Sequence, residues 1–263
     1  MSSKIQVVET RERQLERWVL MKIEHAIEKL EEHKLNATEL EKWKISFSSM
    51  SLDQNSELKP RFFAPKPDLP PPNDEILDKA AEPNDSDGRY YLGAYDMNNL
   101  LSSYAFHQLG LRDNGPWHLI DPGQYNAYKS LYFHESPSLG PSPAFGAFKI
   151  IDSPGKEYPH LKAVIYTDIE VDDKTCFRSE VLISLRLMLA QLRKVRLMHY
   201  KIAPVLLVSL MGKHVRVLES YFDGKLLQMR STRLYKISDW DSIKTVYMIL
   251  TEYLLGPPIR DTI

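Results

Sequence analysis

Three acids recur at alternate positions in Tyr166-Thr167-Asp168-Ile169-Glu170-Val171-Asp172. The two-residue period of a strand would point Asp168, Glu170 and Asp172 to one face. Three like charges in a row repel, so they require a cation, a cationic substrate group, a shared proton or open solvent. Three readings follow: a divalent-metal site with hard oxygen ligands, a pocket for a guanidinium or amine, and an edge strand whose polar face is wet. Asp152 ends the preceding β-rich run, and antiparallel pairing would bring it toward this row. His134-Glu135 closes the segment before that, which makes Glu135 a candidate substrate ligand beside Asp172.

Charge supplies a second candidate surface. The 263 residues hold 34 Lys+Arg and 35 Asp+Glu, a net charge of -1 that conceals strong polarity along the chain. Residues 174–236 carry +10, the residues before them -9 and the last 27 residues -2. Arg186, Arg193, Lys194, Arg196 and Lys201 fall on one expected helix, and Lys213 and Arg216 on the hairpin that follows. Opposite an apolar stripe they would form a basic ridge able to neutralise phosphates without reading bases. Internal pairing with the acidic half of the chain would account for the same totals.

The elements that must position these groups are legible in outline. Leu15, Trp18, Val19, Ile23, Ala26, Ile27 and Leu30 recur at helical spacing between Thr10 and His33, giving a helix that docks on its own domain or forms a dimer or partner contact. Seven prolines between 60 and 83, among Ser, Asn and Asp, predict a loop or linker over 49–88. Asp96 is a candidate N-cap for a helix to about Gln108, and Asp121-Pro122 for one ending near Phe133. Runs 144–152 and 161–171 predict a strand pair, 177–200 a helix, and 204–211, apolar on both faces, a covered central strand. Asp223-Gly224 between two further strands is a hairpin signal, and Trp240 to Leu255 reads as a helix capped by Ser238. These spans predict three segments: an N-terminal helical segment (1–48), the proline-rich stretch (49–88) and an α/β core (89–263) of a mixed sheet flanked by helices.

The phrase Ile151-Asp152, a turn, Asp168-Ile169-Glu170, a long helix and a buried strand resembles the core of the PD-(D/E)XK nuclease-like superfamily over residues 121–236. Glu170 stands where that pattern has lysine, which puts water activation for phosphodiester attack in doubt. The phrases at 204–209, 214–224 and 232–235 also resemble fungal proteins of similar length, among them the arginine-containing cyclodipeptide synthases. That resemblance implies arginyl-tRNA and a second aminoacyl-tRNA as substrates, a diketopiperazine as product and no metal or other cofactor. Asp152, Asp168 and Glu170 would then manage protons, and Asp172 and Glu135 would hold the substrate. A metal-dependent nuclease using Mg²⁺, or a silent nucleic-acid-binding relative, is the alternative. A third reading is an interaction protein using the N-terminal helix, without chemistry.

Other chemistry loses support. No nucleophile elbow, phosphate-cradling glycine loop, dinucleotide fingerprint or His-Glu-x-x-His occurs. Cys176, the single cysteine, offers no disulfide; at a helix start it could carry an acyl group, although small packing cysteines are commoner. The histidines lack metal-ligand spacing, and the aromatic residues between Tyr90 and Phe133 read mainly as core. No apolar run of membrane-spanning length occurs and the N-terminus lacks a secretory segment, so the expectation is a cytoplasmic protein without a membrane partner.

Overall fold

The computed structural model describes residues 9–81, 90–108, 117–120, 145–153, 157–237, 239–259 and 262. The helix expected at 121–133, Glu135, the tip of the turn at 154–156 and Ser238 lie outside the described residues. In chain order the elements are α1 (Arg11–Glu28), β1 (Lys34–Leu35), α2 (Ala37–Lys42), β2 (Ile45–Ser49), α3 (Asp74–Ala81) and α4 (Tyr90–Ser102), which continues as a π-helical turn, Ser103–Gln108. There follow β3 (His118–Ile120), β4 (Phe145–Asp152), β5 (Leu161–Thr167), β6 (Cys176–Phe177), α5 (Arg178–Arg193), β7 (Val205–Met211), β8 (His214–Phe222), β9 (Leu227–Ser231), β10 (Tyr235–Lys236) and α6 (Trp240–Leu255).

The chain is a mixed α/β protein whose main sheet has the order β2-β9-β8-β7-β5-β4-β3, with β10 beside β8. β5 and β7 are parallel neighbours, joined through α5, as are β2 and β9; the remaining pairs are antiparallel. A parallel strand covered on both faces needs apolar residues at successive positions, which is why β7 reads Val-Leu-Leu-Val-Ser-Leu-Met and is buried throughout. Alternation then divides the layers. Leu161, Ala163, Ile165, Val205 and Leu207 pack with α1 and α5, whereas Val164, Tyr166, Leu206, Val208 and Leu210 pack with α4, α6 and Ile76 of α3.

Two expected segment boundaries dissolve. Thr10 caps α1, and Leu20, Ile23 and Ile27 bury its inner face against the core shared with α5. β2 enters the main sheet, so residues 9–48 of the segment expected at 1–48 do not stand apart as a helical extension. The proline-rich stretch is irregular between Met50 and Asn73, as its composition predicts, yet it is fastened and does not act as a free linker. Glu219 and Arg230 face each other across β8 and β9, 2.8 Å apart. The Glu219 carboxylate also accepts from the backbone N–H of Arg61 (2.7 Å) and Phe62 (2.8 Å), while Arg230 donates to the carbonyls of Leu58 (2.8 Å) and Lys59 (3.1 Å). Phe62 and Phe63 are buried as a result. α4 starts six residues before the expected Asp96 cap, and Asp239 caps α6 by accepting from Ser242 N at 2.8 Å.

Lys162 in β5 is fully buried and pairs with no carboxylate among the described residues; its ammonium donates to the carbonyls of Tyr253 (2.8 Å), Leu254 (3.0 Å) and Gly256 (2.6 Å) and lies 3.9 Å from the Trp117 ring centre. These carbonyls are the ends that α6 cannot satisfy itself, and the negative pole of its dipole faces the charge. Burial pushes the amine well below its ordinary pKa. Replacing Lys162 by Met should leave the Tyr253 and Leu254 carbonyls unpaired, Gly256 O keeping the Trp117 indole N–H (2.8 Å), and lower unfolding free energy by about 3 kcal/mol in urea titrations. A loss below about 0.5 kcal/mol would show that the carbonyl cage contributes nothing to stability.

Candidate functional site

The register of β4 and β5 decides the fate of the expected acidic triad. Asp152 pairs with Leu161 at one end of the hairpin, whereas Thr167 pairs with Phe145 at the other. Asp168 follows Thr167, so Asp152 lies about 20 Å from Asp168 and Glu170 at ordinary strand rise. The three proposed catalytic acids are therefore not one constellation. Among the described residues no group of three His, Cys, Asp or Glu side chains could hold a metal ion.

The alternating row is also not a strand. β5 ends at Thr167 because its neighbour β7 ends at Met211 and turns at Gly212 (φ 59°), whose N–H donates to Tyr90 O. Beyond it Asp172 folds the chain back: its carboxylate accepts from Lys174 N, Thr175 N and Thr175 Oγ1, each at 2.8 Å, and Lys34 approaches to 3.6 Å. Short acidic side chains that bind local N–H groups compete with ladder formation. Burial opposes ionisation of Asp172, but the Thr175 and Lys174 donors and the Lys34 charge outweigh it and hold the carboxyl below its usual value. Its oxygens are committed to that turn, which removes it from the expected substrate pocket. Asp168 is half-buried and Glu170 exposed.

The basic ridge is likewise dispersed. α1 covers α5, and Arg186 is buried with Glu24 (2.8 Å) and Glu28 (2.6 Å). Arg216 is 1 % exposed, bonded to both Glu180 oxygens and to Thr175 O. Lys194 and Arg196 both reach Asp152, at 2.6 and 3.2 Å, and Gln191 donates to its other oxygen at 2.7 Å. Lys201 meets Glu12 at 3.2 Å, whereas Arg193 and Lys213 are exposed. These pairs realise the internal neutralisation that the charge totals allow. Cys176 is buried beside Glu180, and burial pushes its thiol well up, which suits packing and not acyl transfer.

The sheet nevertheless gathers polar groups at one edge. β2, β5, β7 and β9 run in the same direction, so their carboxyl ends share a side, the place where open α/β sheets present ligand sites. A groove of 750 Å³ opens there, lined by Ser48, Ser49, Ser51, Asp53, Asp173, Thr232, Arg233 and Tyr235 over a floor that includes Phe47, Met50 and Ile249. Its size is that of a small-molecule site. Asp173 is anchored by accepting from Leu234 N at 2.7 Å while remaining exposed. Arg233 lies 5.7 Å from the Tyr235 ring centre. The groove offers a carboxylate, a guanidinium and several hydroxyls on an apolar floor, enough to orient a charged, polar ligand. Its residues escape motif reasoning; the overlooked signal is the Ile-Ser-Phe-Ser alternation at 45–48, which marks β2 and hence the edge.

No known family, curated protein or solved structure matches the chain.

At the opposite edge Gln191 links Asp152 to the His160 carbonyl, and His160 Nε2 lies 3.3 Å from Ile259 O. Burial lowers the His160 pKa from 6.5 to about 4, with Lys162 adding to the effect. Between these values the unfolded chain binds a proton that the folded chain refuses, so stability falls as pH falls through this window, by about 3 kcal/mol at its lower end. Urea titrations of wild type and His160→Leu at both ends should show a smaller pH effect in the variant. Equal pH effects would assign the acid sensitivity elsewhere.

Proposed function

We propose that the protein is a metal-independent aminoacyl transferase of the cyclodipeptide synthase type, joining arginine from arginyl-tRNA to a second aminoacyl group in the carboxyl-edge groove. The observation that carries this reading is the groove itself: a carboxylate, Asp173, held by a backbone donor and facing solvent beside Arg233 and a set of hydroxyls. A carboxylate can take a guanidinium in paired hydrogen bonds or accept a proton from an attacking amine. The aminoacyl ester is already activated, so the chemistry asks mainly for two ends placed together and for proton transfer. Asp168 and Glu170 lie on the same edge of the sheet and contribute negative potential there.

The second reading is a silent nucleic-acid-binding relative of the nuclease-like fold. It is favoured by the β3-β4-β5 antiparallel meander followed by α5 and the parallel strand β7, an order compatible with that core. An active nuclease with Asp152, Asp168 and Glu170 on one Mg²⁺ is disfavoured, because the hairpin register keeps Asp152 away from the other two.

Expression of the full chain in a bacterial host, followed by mass spectrometry of the medium, should reveal an arginine-containing cyclic dipeptide. Asp173→Asn should reduce its yield at least about tenfold at equal soluble protein, the cost of one charge-assisted contact. Equal yield would remove Asp173 from the reaction, and no product from soluble wild-type protein would favour the silent relative.

A further inference from the structure

Helix α1 is apolar on two sides. Its inner face buries Leu20, Ile23 and Ile27, and at 100° per residue Trp18 lies about 180° away from them. Trp18 is 53 % exposed, and its neighbours on the outer face, Leu15 and Met21, are 55 % and 44 % exposed. Large apolar side chains clustered on a surface mark an interaction site more often than scattered ones do.

The charge around this cluster selects the partner. Three acids of α1 are engaged, since Glu24 and Glu28 hold Arg186 and Glu12 holds Lys201, and the fourth, Glu16, falls about 160° round the helix from Trp18. Arg11, Lys22, His25 and Lys29 lie along the outer line with Trp18 and carry no ion pair among the described residues. Lys22 Nζ sits 3.5 Å over the Trp18 ring, which gives a cation-bearing aromatic plane. A second copy of the chain would oppose these cations to themselves across a two-fold axis, which disfavours a homodimer through this helix. Phosphates meet the cations, and an unpaired base offers a flat face to the indole. Arg11 to Lys29 spans about 27 Å at helical rise, long enough to follow several phosphates of one strand.

We infer that the outer face of α1 is an RNA-docking surface, with Trp18 stacking on an unpaired base and Arg11, Lys22 and Lys29 contacting the backbone. This rests on the tRNA reading proposed above and places the polyanion contact on the helix that covers α5, not on α5 itself. α1 is joined to the end of α5 through its inner side, since Arg13 donates to the carbonyls of Leu192 (2.7 Å) and Tyr200 (2.9 Å).

The test is fluorescence anisotropy with labelled, unfractionated tRNA across about 50 to 200 mM salt, where phosphate contacts are most salt-sensitive. Trp18→Ala should weaken binding about tenfold with little change in the salt slope. The double variant Lys22→Glu, Lys29→Glu should weaken it further and flatten the slope of log affinity against log salt by about 1.5. Lys59→Glu, a change at an exposed lysine of the proline-rich stretch, should match wild type, and circular dichroism should show all variants folded. Identical affinity and slope in every variant would overturn the assignment. So would Trp18-dependent binding to phosphatidylserine vesicles or polyglutamate with tRNA affinity untouched. The reaction is tested separately: cyclic dipeptide formation without α1-dependent tRNA binding discards this surface alone, and α1-dependent binding without product discards the reaction alone.

Discussion

A charge without access to water must be met in full by protein, and this constraint joins the layers of the fold. Lys162, Arg216, Glu219 and Arg230 all project from strands of the main sheet and are buried. Each finds its partners in a covering element. Lys162 takes the end of α6, Arg216 takes Glu180 in the first turn of α5, and Glu219 with Arg230 takes the backbone of residues 58–62. An apolar substitution at any one side chain would strand the groups it now satisfies. The sheet therefore determines where its covering layers sit by hydrogen-bond geometry as well as by shape.

The same constraint explains which parts of the molecule were legible in its sequence. Periodicity found β7, the β8–β9 hairpin at Asp223-Gly224 and α6, because apolar burial and turn chemistry are local properties. It placed the starts of the long helices α1 and α5 within one residue but ran past their ends, which fall at Glu28 and Arg193 and not at His33 and Tyr200. It offered only the short alternation at 45–48 for β2 and could not show that its partner β9 lies nearly two hundred residues further along the chain, nor that a proline-rich stretch would be fastened by buried acids and bases. Proline content reports on backbone freedom in the unfolded chain, and long-range partners decide the rest.

Function was harder to read for a related reason. Alternation at Asp168, Glu170 and Asp172 has the period of a strand, but an Asx turn produces the same residue types without the strand, and Asp172 makes one. The count of cations around α5 was correct while their availability was not, since Glu24 and Glu28 of α1 come from a distant part of the sequence to meet Arg186. Charge totals measure potential partners and say little about which face water. The groove at the carboxyl edge combines residues from β2, β9 and the loop around Asp173, a grouping visible only once strand order is known.

The parallel pairing of β2 with β9 also orders events during synthesis. Ile45 to Ser49 find their ladder at Leu227 to Ser231, and α1 finds its buried face on α5, so α1 and β2 emerge from the ribosome long before the surfaces that receive them. Chains dominated by such distant contacts fold late and expose apolar surface meanwhile. For the nascent polypeptide, Leu20, Ile23 and Ile27 form an apolar helix face without a home. Helix α1 and β2 are thus the elements with most to gain from chaperone shelter until α5 and β9 are made.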